Sequence, residues 1–103
     1  MERIKDITKI FLKPEEVLLE IKLPANAILM ANTKVYADHS VVVAKGSAVP
    51  LELGSIVLEF QNPEMQYSVE YKGVVYYIIP YYTIKLATTP DNFETNKVNL
   101  KIN

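Results

Sequence analysis

The chain has 103 residues and a mass of 11.7 kDa, the size of one domain, and half of its residues are hydrophobic, which excludes a disordered chain. A formal net charge of -1, with lysines scattered singly, excludes the broad basic field that nucleic acid or an anionic membrane surface would require. The absence of cysteine excludes disulfides and thiolate metal sites and suits a reducing cytoplasm.

The opening MERIKDITKIF is charged throughout and lacks the apolar core of a signal peptide. The longest apolar run, Val74 to Ile79, is far shorter than the roughly 20 residues that cross a bilayer. The expectation is one soluble, cytoplasmic β-domain over residues 1–103, with no membrane and no nucleic-acid partner.

In chain order, Ile7, Ile10 and Leu12 interleave with polar residues and predict a first strand over Ile7 to Lys13, closed by Pro14. Pro14-Glu15-Glu16 reads as a turn, with a single helical turn starting at Pro14 as the rival. Leu19, Ile21 and Leu23 alternate with Glu20 and Lys22, the period-2 signature of a strand with one wet face. Pro24-Ala25-Asn26 breaks it before the apolar triplet Ile28-Leu29-Met30, and a short strand follows over Thr33 to Ala37.

Ser40 to Ala44, SVVVA, is a continuous apolar run of buried-strand character. It leads into Lys45-Gly46-Ser47, a turn in which Gly46 can supply a positive φ. From Leu53 to Ala87 three blocks of β-branched and aromatic residues are separated by Gly54-Ser55, Asn62-Pro63-Glu64 and Lys72-Gly73. The pattern predicts strand, loop, strand, tight turn, strand, loop and short strand. Thr88 to Asn92 reads as a loop with no apolar anchor until Phe93. Val98, Leu100 and Ile102 alternate with Lys97, Asn99 and Lys101 and predict a last strand within a C-terminal extension, 88–103. Eight or nine short strands without an amphipathic helix point to an all-β barrel or sandwich.

Catalytic chemistry finds little footing. His39 is the single histidine, and Asp38 and Ser40 beside it do not form a triad, because neighbouring strand residues point to opposite faces. Glu15-Glu16 and Glu52/Glu59 read as solvated faces. The three glycines stand apart, so no phosphate-cradling loop exists. No catalytic residue, metal ligand or cofactor is assigned, and a non-enzymatic role is expected. The pairs Tyr76-Tyr77 and Tyr81-Tyr82 are read as aromatics on both faces of consecutive strands. They serve a core or a subunit contact, or else stack on a ligand.

The order of these blocks resembles the GroES-like co-chaperonin family. KIFLKPEE, Lys9 to Glu16, is similar to the family's opening strand and turn. AILMA, Ala27 to Ala31, is similar to the end of its mobile loop. SVVVAKGSA, LELGSIVLEF and YKGVVYYIIPYYTIKLA resemble its later strands in the same order. The resemblance implies a small irregular β-barrel, here with an extra C-terminal strand, that assembles into a ring and caps a chaperonin. It implies that Ile28, Leu29 and Met30 bind the chaperonin, and a subunit contact is expected at Ile7, Ile10, Tyr82, Ile84 and Leu86. The sequence departs from the family pattern in the apolar, glycine-free VLLEIKLPANA before the triplet, in Ser55 for the usual aspartate, and in the extension after Ala87. Two further readings stand beside this one. The first is a structural or interaction protein on the same barrel, of the kind a phage or mobile element carries, without chaperonin binding. The second is a barrel that binds a small ligand or oligosaccharide through Tyr76, Tyr77, Tyr81 or Tyr82.

Overall fold

A computed structural model describes residues 2–22, 39–60 and 67–93. The predicted segments 28–30, 33–37 and 98–102 lie outside these. The described chain is all-β, with seven strands: β1 (Glu2–Arg3), β2 (Glu16–Lys22), β3 (His39–Lys45), β4 (Ile56–Phe60), β5 (Tyr67–Tyr71), β6 (Val74–Pro80) and β7 (Ile84–Thr88). They form one sheet in the order β1-β5-β6-β2-β3-β4-β7, mixed only because β1 runs parallel to β5. Among the described residues the two ends of this order, β1 and β7, are not paired with each other.

The middle of the sheet is β2, antiparallel to β6 on one side and to β3 on the other. Val17, Leu18 and Leu19 are all buried, so this half of β2 is covered on both faces, where period-2 reading expects one wet face. Val17 and Leu19 join Val42, Val49, Val57 and Ile79 in one apolar cluster. Leu18 points the other way and joins Val69 and Tyr76 in a second. A bulge in the β2–β3 ladder, where Leu18 pairs with Ala44 and Leu19 with Val42, leaves Val43 without a cross-strand mate and adds twist.

The strands predicted between Leu53 and Ala87 occur as expected. Lys72 (φ 51°) and Gly73 (φ 81°) form the two-residue turn between β5 and β6, with left-handed backbone at both positions. Two sequence expectations are corrected here. SVVVA is not buried throughout: Ser40 and Val42 point inward, while Val43 is partly exposed. Tyr81–Thr83 is a 3-10 turn and not part of a strand. It begins directly after Pro80, which has no N–H to extend the ladder, and the Tyr81 N–H instead donates to the Glu15 carbonyl at 2.8 Å.

The first predicted strand is also corrected. Ile7–Lys9 is a 3-10 turn, Ile10 after it is extended, and residues 10–13 lie outside the strands of the sheet. Asp6 diverts the chain: its carboxylate accepts the Thr8 N–H at 3.0 Å and the Thr8 hydroxyl at 2.6 Å, a local alternative to a strand ladder. Ile4, Ile7, Ile10 and Leu12 then lie over the second cluster and roof that face of the sheet.

Gly46 is needed for space and not for a positive φ, which it does not have. A Cβ there would collide with the carbonyl oxygens of Lys13 and Pro14. The β3–β4 loop docks under the Lys13–Glu16 turn through Gly46 N–H to Glu16 O at 2.8 Å and Ala48 N–H to Pro14 O at 2.9 Å.

Candidate functional site

The acidic candidates serve structure. Glu16 closes its own turn, its carboxylate accepting the Lys13 N–H at 2.9 Å. Glu52 contributes a carbonyl that accepts the Ser55 hydroxyl at 2.7 Å, so Ser55 ties the turn before β4. His39 opens β3, and its ring lies 4.7 Å from that of Phe93, while buried Ser40 points to the other face. Among the described residues there is no cluster of three or more acidic or imidazole side chains that could hold a metal ion. Among them, too, no helix is long and apolar enough to cross a membrane.

The four singled-out tyrosines do not share a surface. Tyr76 is buried in the second cluster, and its hydroxyl titrates above the ordinary phenol range because of burial, with the negative charge of Glu20 adding to it. Tyr77 faces the first cluster, edge-on to Phe60 with ring centroids 5.9 Å apart. Tyr81 packs on the same cluster and meets Tyr82 edge-on at 5.9 Å. Tyr82 alone among them is largely in water, at 65% exposure.

Two surfaces of another kind stand out at the margins of the sheet. At one, β7 has β4 on one side and, among the described residues, no strand on the other, the position of an edge strand. Leu86 is 52% exposed beside Tyr82. With Pro50, Leu51 and Ala87 they line an open concavity of about 500 Å³. The wall at Leu51 is held by Lys45, whose ammonium donates to the Leu51 carbonyl at 2.7 Å. At the other surface, no hydrogen bond joins the backbone of Ile10, Phe11 or Leu12 to another described residue. Because Ile10 and Leu12 turn inward, Phe11 turns outward and is fully exposed.

The expected subunit-contact residues are thus divided. Tyr82 and Leu86 are exposed at the β7 edge, and Ile84 is half-buried on the first cluster. Ile7 and Ile10 spend their side chains on the second cluster of their own chain. The exposed apolar residue of that segment is Phe11, which sequence reading placed on a second apolar face of the strand without assigning it to a contact. Its signal was the alternation Ile10, Phe11, Leu12, in which two inward neighbours force the middle ring out.

The expected partner-binding residues Ile28, Leu29 and Met30 lie outside the described residues. What the structure does describe is the stem of their segment. Lys22 in β2 pairs with His39 in β3, so the two described residues that flank the segment lie side by side in the sheet. An ion pair between Lys22 and Glu20 at 2.9 Å runs along the same strand.

Comparison with family models, with curated proteins and with solved structures finds no match to the chain.

Proposed function

We propose that the chain is a co-chaperonin-like protein. Copies assemble into a ring, and each presents Ile28, Leu29 and Met30 to a chaperonin. The role is non-enzymatic, needs no cofactor and is exercised in the cytoplasm. The observation that carries the reading is the stem. The apolar triplet falls between Lys22 and His39, which are paired across β2 and β3, and the middle of β2 is buried. Such tethering suits modest affinity per copy, multiplied when several copies engage one symmetric partner.

Ring assembly draws support from the two margins. The Ile10–Leu12 backbone and the outer edge of β7 are both unpaired among the described residues. They carry exposed Phe11 on one side and Tyr82 and Leu86 on the other. Two different surfaces that meet head to tail make a closed ring when the rotation closes. A strand added at such an edge supplies backbone hydrogen bonds across the contact.

Sedimentation and a chaperonin ATPase assay test the reading together. The chain is expected to sediment as a ring and to change the ATPase rate. Leu29→Asp should abolish the ATPase effect with the ring intact, and Phe11→Ser should shift the ring toward monomer with the fold intact. A wild-type monomer at micromolar concentration would overturn the proposal. A ring without any effect on the ATPase would leave the interaction protein lacking chaperonin binding. For the ligand-binding reading, Tyr76 and Tyr77 face opposite clusters, while Tyr81 and Tyr82 line the concavity beside β7.

A further inference from the structure

The roof over the second cluster does not close down on the sheet everywhere. A cavity of about 320 Å³ lies between them, with Ile7 and Ile10 on the roof side and Leu18 and Tyr76 on the sheet side. Two local features account for it. Ala44, the cross-strand partner of Leu18, is too small to fill the space beside that leucine, and the bulge brings Val43 to the same wall. Among the described residues no charged side chain lines the cavity, and its polar side chains are two hydroxyls, Thr8 and Tyr76. The Thr8 hydroxyl already donates to the Asp6 carboxylate at 2.6 Å, so its oxygen is left to accept. Tyr76 is 8% exposed. No hydrogen bond of its hydroxyl occurs among the described residues, yet no fully buried side-chain oxygen there lacks a partner, so this oxygen keeps some open space beside it. The cavity that Tyr76 lines is such a space.

We propose that this cavity binds a small neutral molecule of the phenol type, with one ring or a like apolar body and a single hydroxyl. A well-held buried water makes about three hydrogen bonds, more than two hydroxyls supply when one of them is already engaged. An apolar body against Ile7, Ile10 and Leu18 therefore replaces water at a gain. The ligand hydroxyl accepts from Tyr76 or donates to the Thr8 oxygen. A charged ligand is disfavoured because the wall offers no counter-ion, and an anion would also meet the Asp6 carboxylate one hydrogen bond behind Thr8. The volume stands near the lower end of the roughly 300–1,000 Å³ of small-molecule sites, which holds the ligand to about one ring. The site uses neither residues 28–30 nor the β7 margin, so it does not depend on the co-chaperonin reading.

Titration of the full chain with phenol, followed by amide chemical shifts, tests it. The amides of Thr8, Val43, Ala44 and Tyr76 should shift together and saturate. Toluene, of the same shape with a methyl for the hydroxyl, should move the same amides. Tyr76→Phe should weaken phenol about fivefold, the loss of one hydrogen bond, and leave toluene unchanged. Ala44→Leu should abolish the binding of both by filling the cavity. The absence of a saturable shift at these residues would overturn the site, and so would shifts centred on Tyr82 and Leu86, which place binding beside β7. An equal loss of phenol and toluene in Tyr76→Phe would overturn recognition by the hydroxyl. Phenol binding that survives Ala44→Leu would place the ligand elsewhere and overturn the proposal as well.

Discussion

The cluster around Leu19 and the cluster around Leu18 share strand β2 but are closed by different means. Strands wall the first: β2, β3, β4 and β6 supply Val17, Leu19, Val42, Val57 and Ile79, and β7 adds Ile84 and Ala87 at the margin. The second has strands beneath it and a lid of irregular chain above, Ile4 to Leu12. That chain is tied to the sheet by the short β1–β5 pairing and by Ile4 N–H to Glu70 O at 3.0 Å. Cross-strand hydrogen bonds fix most of the first cluster, to which the β3–β4 loop adds Val49, whereas the roof of the second rests mainly on apolar contact. A sheet with two apolar faces in a short chain can finish only one of them with its own strands. The less finished face is also where a fully exposed phenylalanine stands.

This contrast can be broken by substitution. Leu19→Ala should cost the most, about 4 kcal/mol, because a fully buried leucine leaves a cavity among strands that cannot collapse to fill it. Denaturant unfolding measures it, and a loss below that of a surface change would show that the two clusters do not differ. Gly46→Ala attacks the junction between the β3–β4 loop and the turn that precedes β2, where the added methyl meets backbone carbonyls. It should cost about 3 kcal/mol, with the loop displaced from Pro14, as the Ala48 amide shift would report. Ile10→Ala removes part of the roof of the second cluster. Since Ile10 is only half-buried, about 1 kcal/mol is expected, well below the figure for Leu19.

The smallest effect concerns Asp6. Hydrogen bonds from the Thr8 side chain and N–H hold its carboxyl below the usual carboxylate range. A folded-state pKa lowered in this way adds stability above the unfolded-state value, and that stability is lost as pH falls through the folded-state value. The roof over the second cluster should therefore loosen in acid before the strand-walled cluster does. Amide exchange at Thr8 followed from neutral to acid pH would show it, and Asp6→Asn should flatten that dependence while keeping an acceptor for the Thr8 N–H.

The sheet strands were legible because their residues obey one rule at a time. Strict alternation is not needed where a β-branched block is bounded by turn residues, as in Ile56 to Phe60, and Lys72-Gly73 declares its hairpin outright. The N-terminal segment misled because Ile7, Ile10 and Leu12 suit a strand equally well, and the decision was made by Asp6 and Thr8, two polar side chains bonded to each other. Gly46 was recognised as a turn residue for a reason that does not hold: crowding by Lys13 and Pro14 is a tertiary fact, without trace in its own neighbours. The margins that could serve assembly were half legible. Tyr82 and Leu86 announce themselves as apolar residues near a strand end, but Phe11 is exposed only because the segment leaves the sheet.

The Lys72-Gly73 turn also bears on the order in which the chain acquires its structure. It joins β5 to β6 with Tyr71 paired to Val74, the shortest loop between any two paired strands among the described residues. By contrast β2 must find β6 across most of the chain, with Glu16 opposite Pro80. Closing a two-residue loop costs far less chain entropy than closing the long one, so the hairpin can exist before β2 has a place to bind. The Lys72 ammonium, 5.3 Å from the centre of the Tyr71 ring, adds a contact available within the hairpin alone. In pulse-labelled refolding the amides of β5 and β6 should gain protection ahead of those of β2, and the burial of Leu18 and Leu19 becomes the late step that commits the sheet.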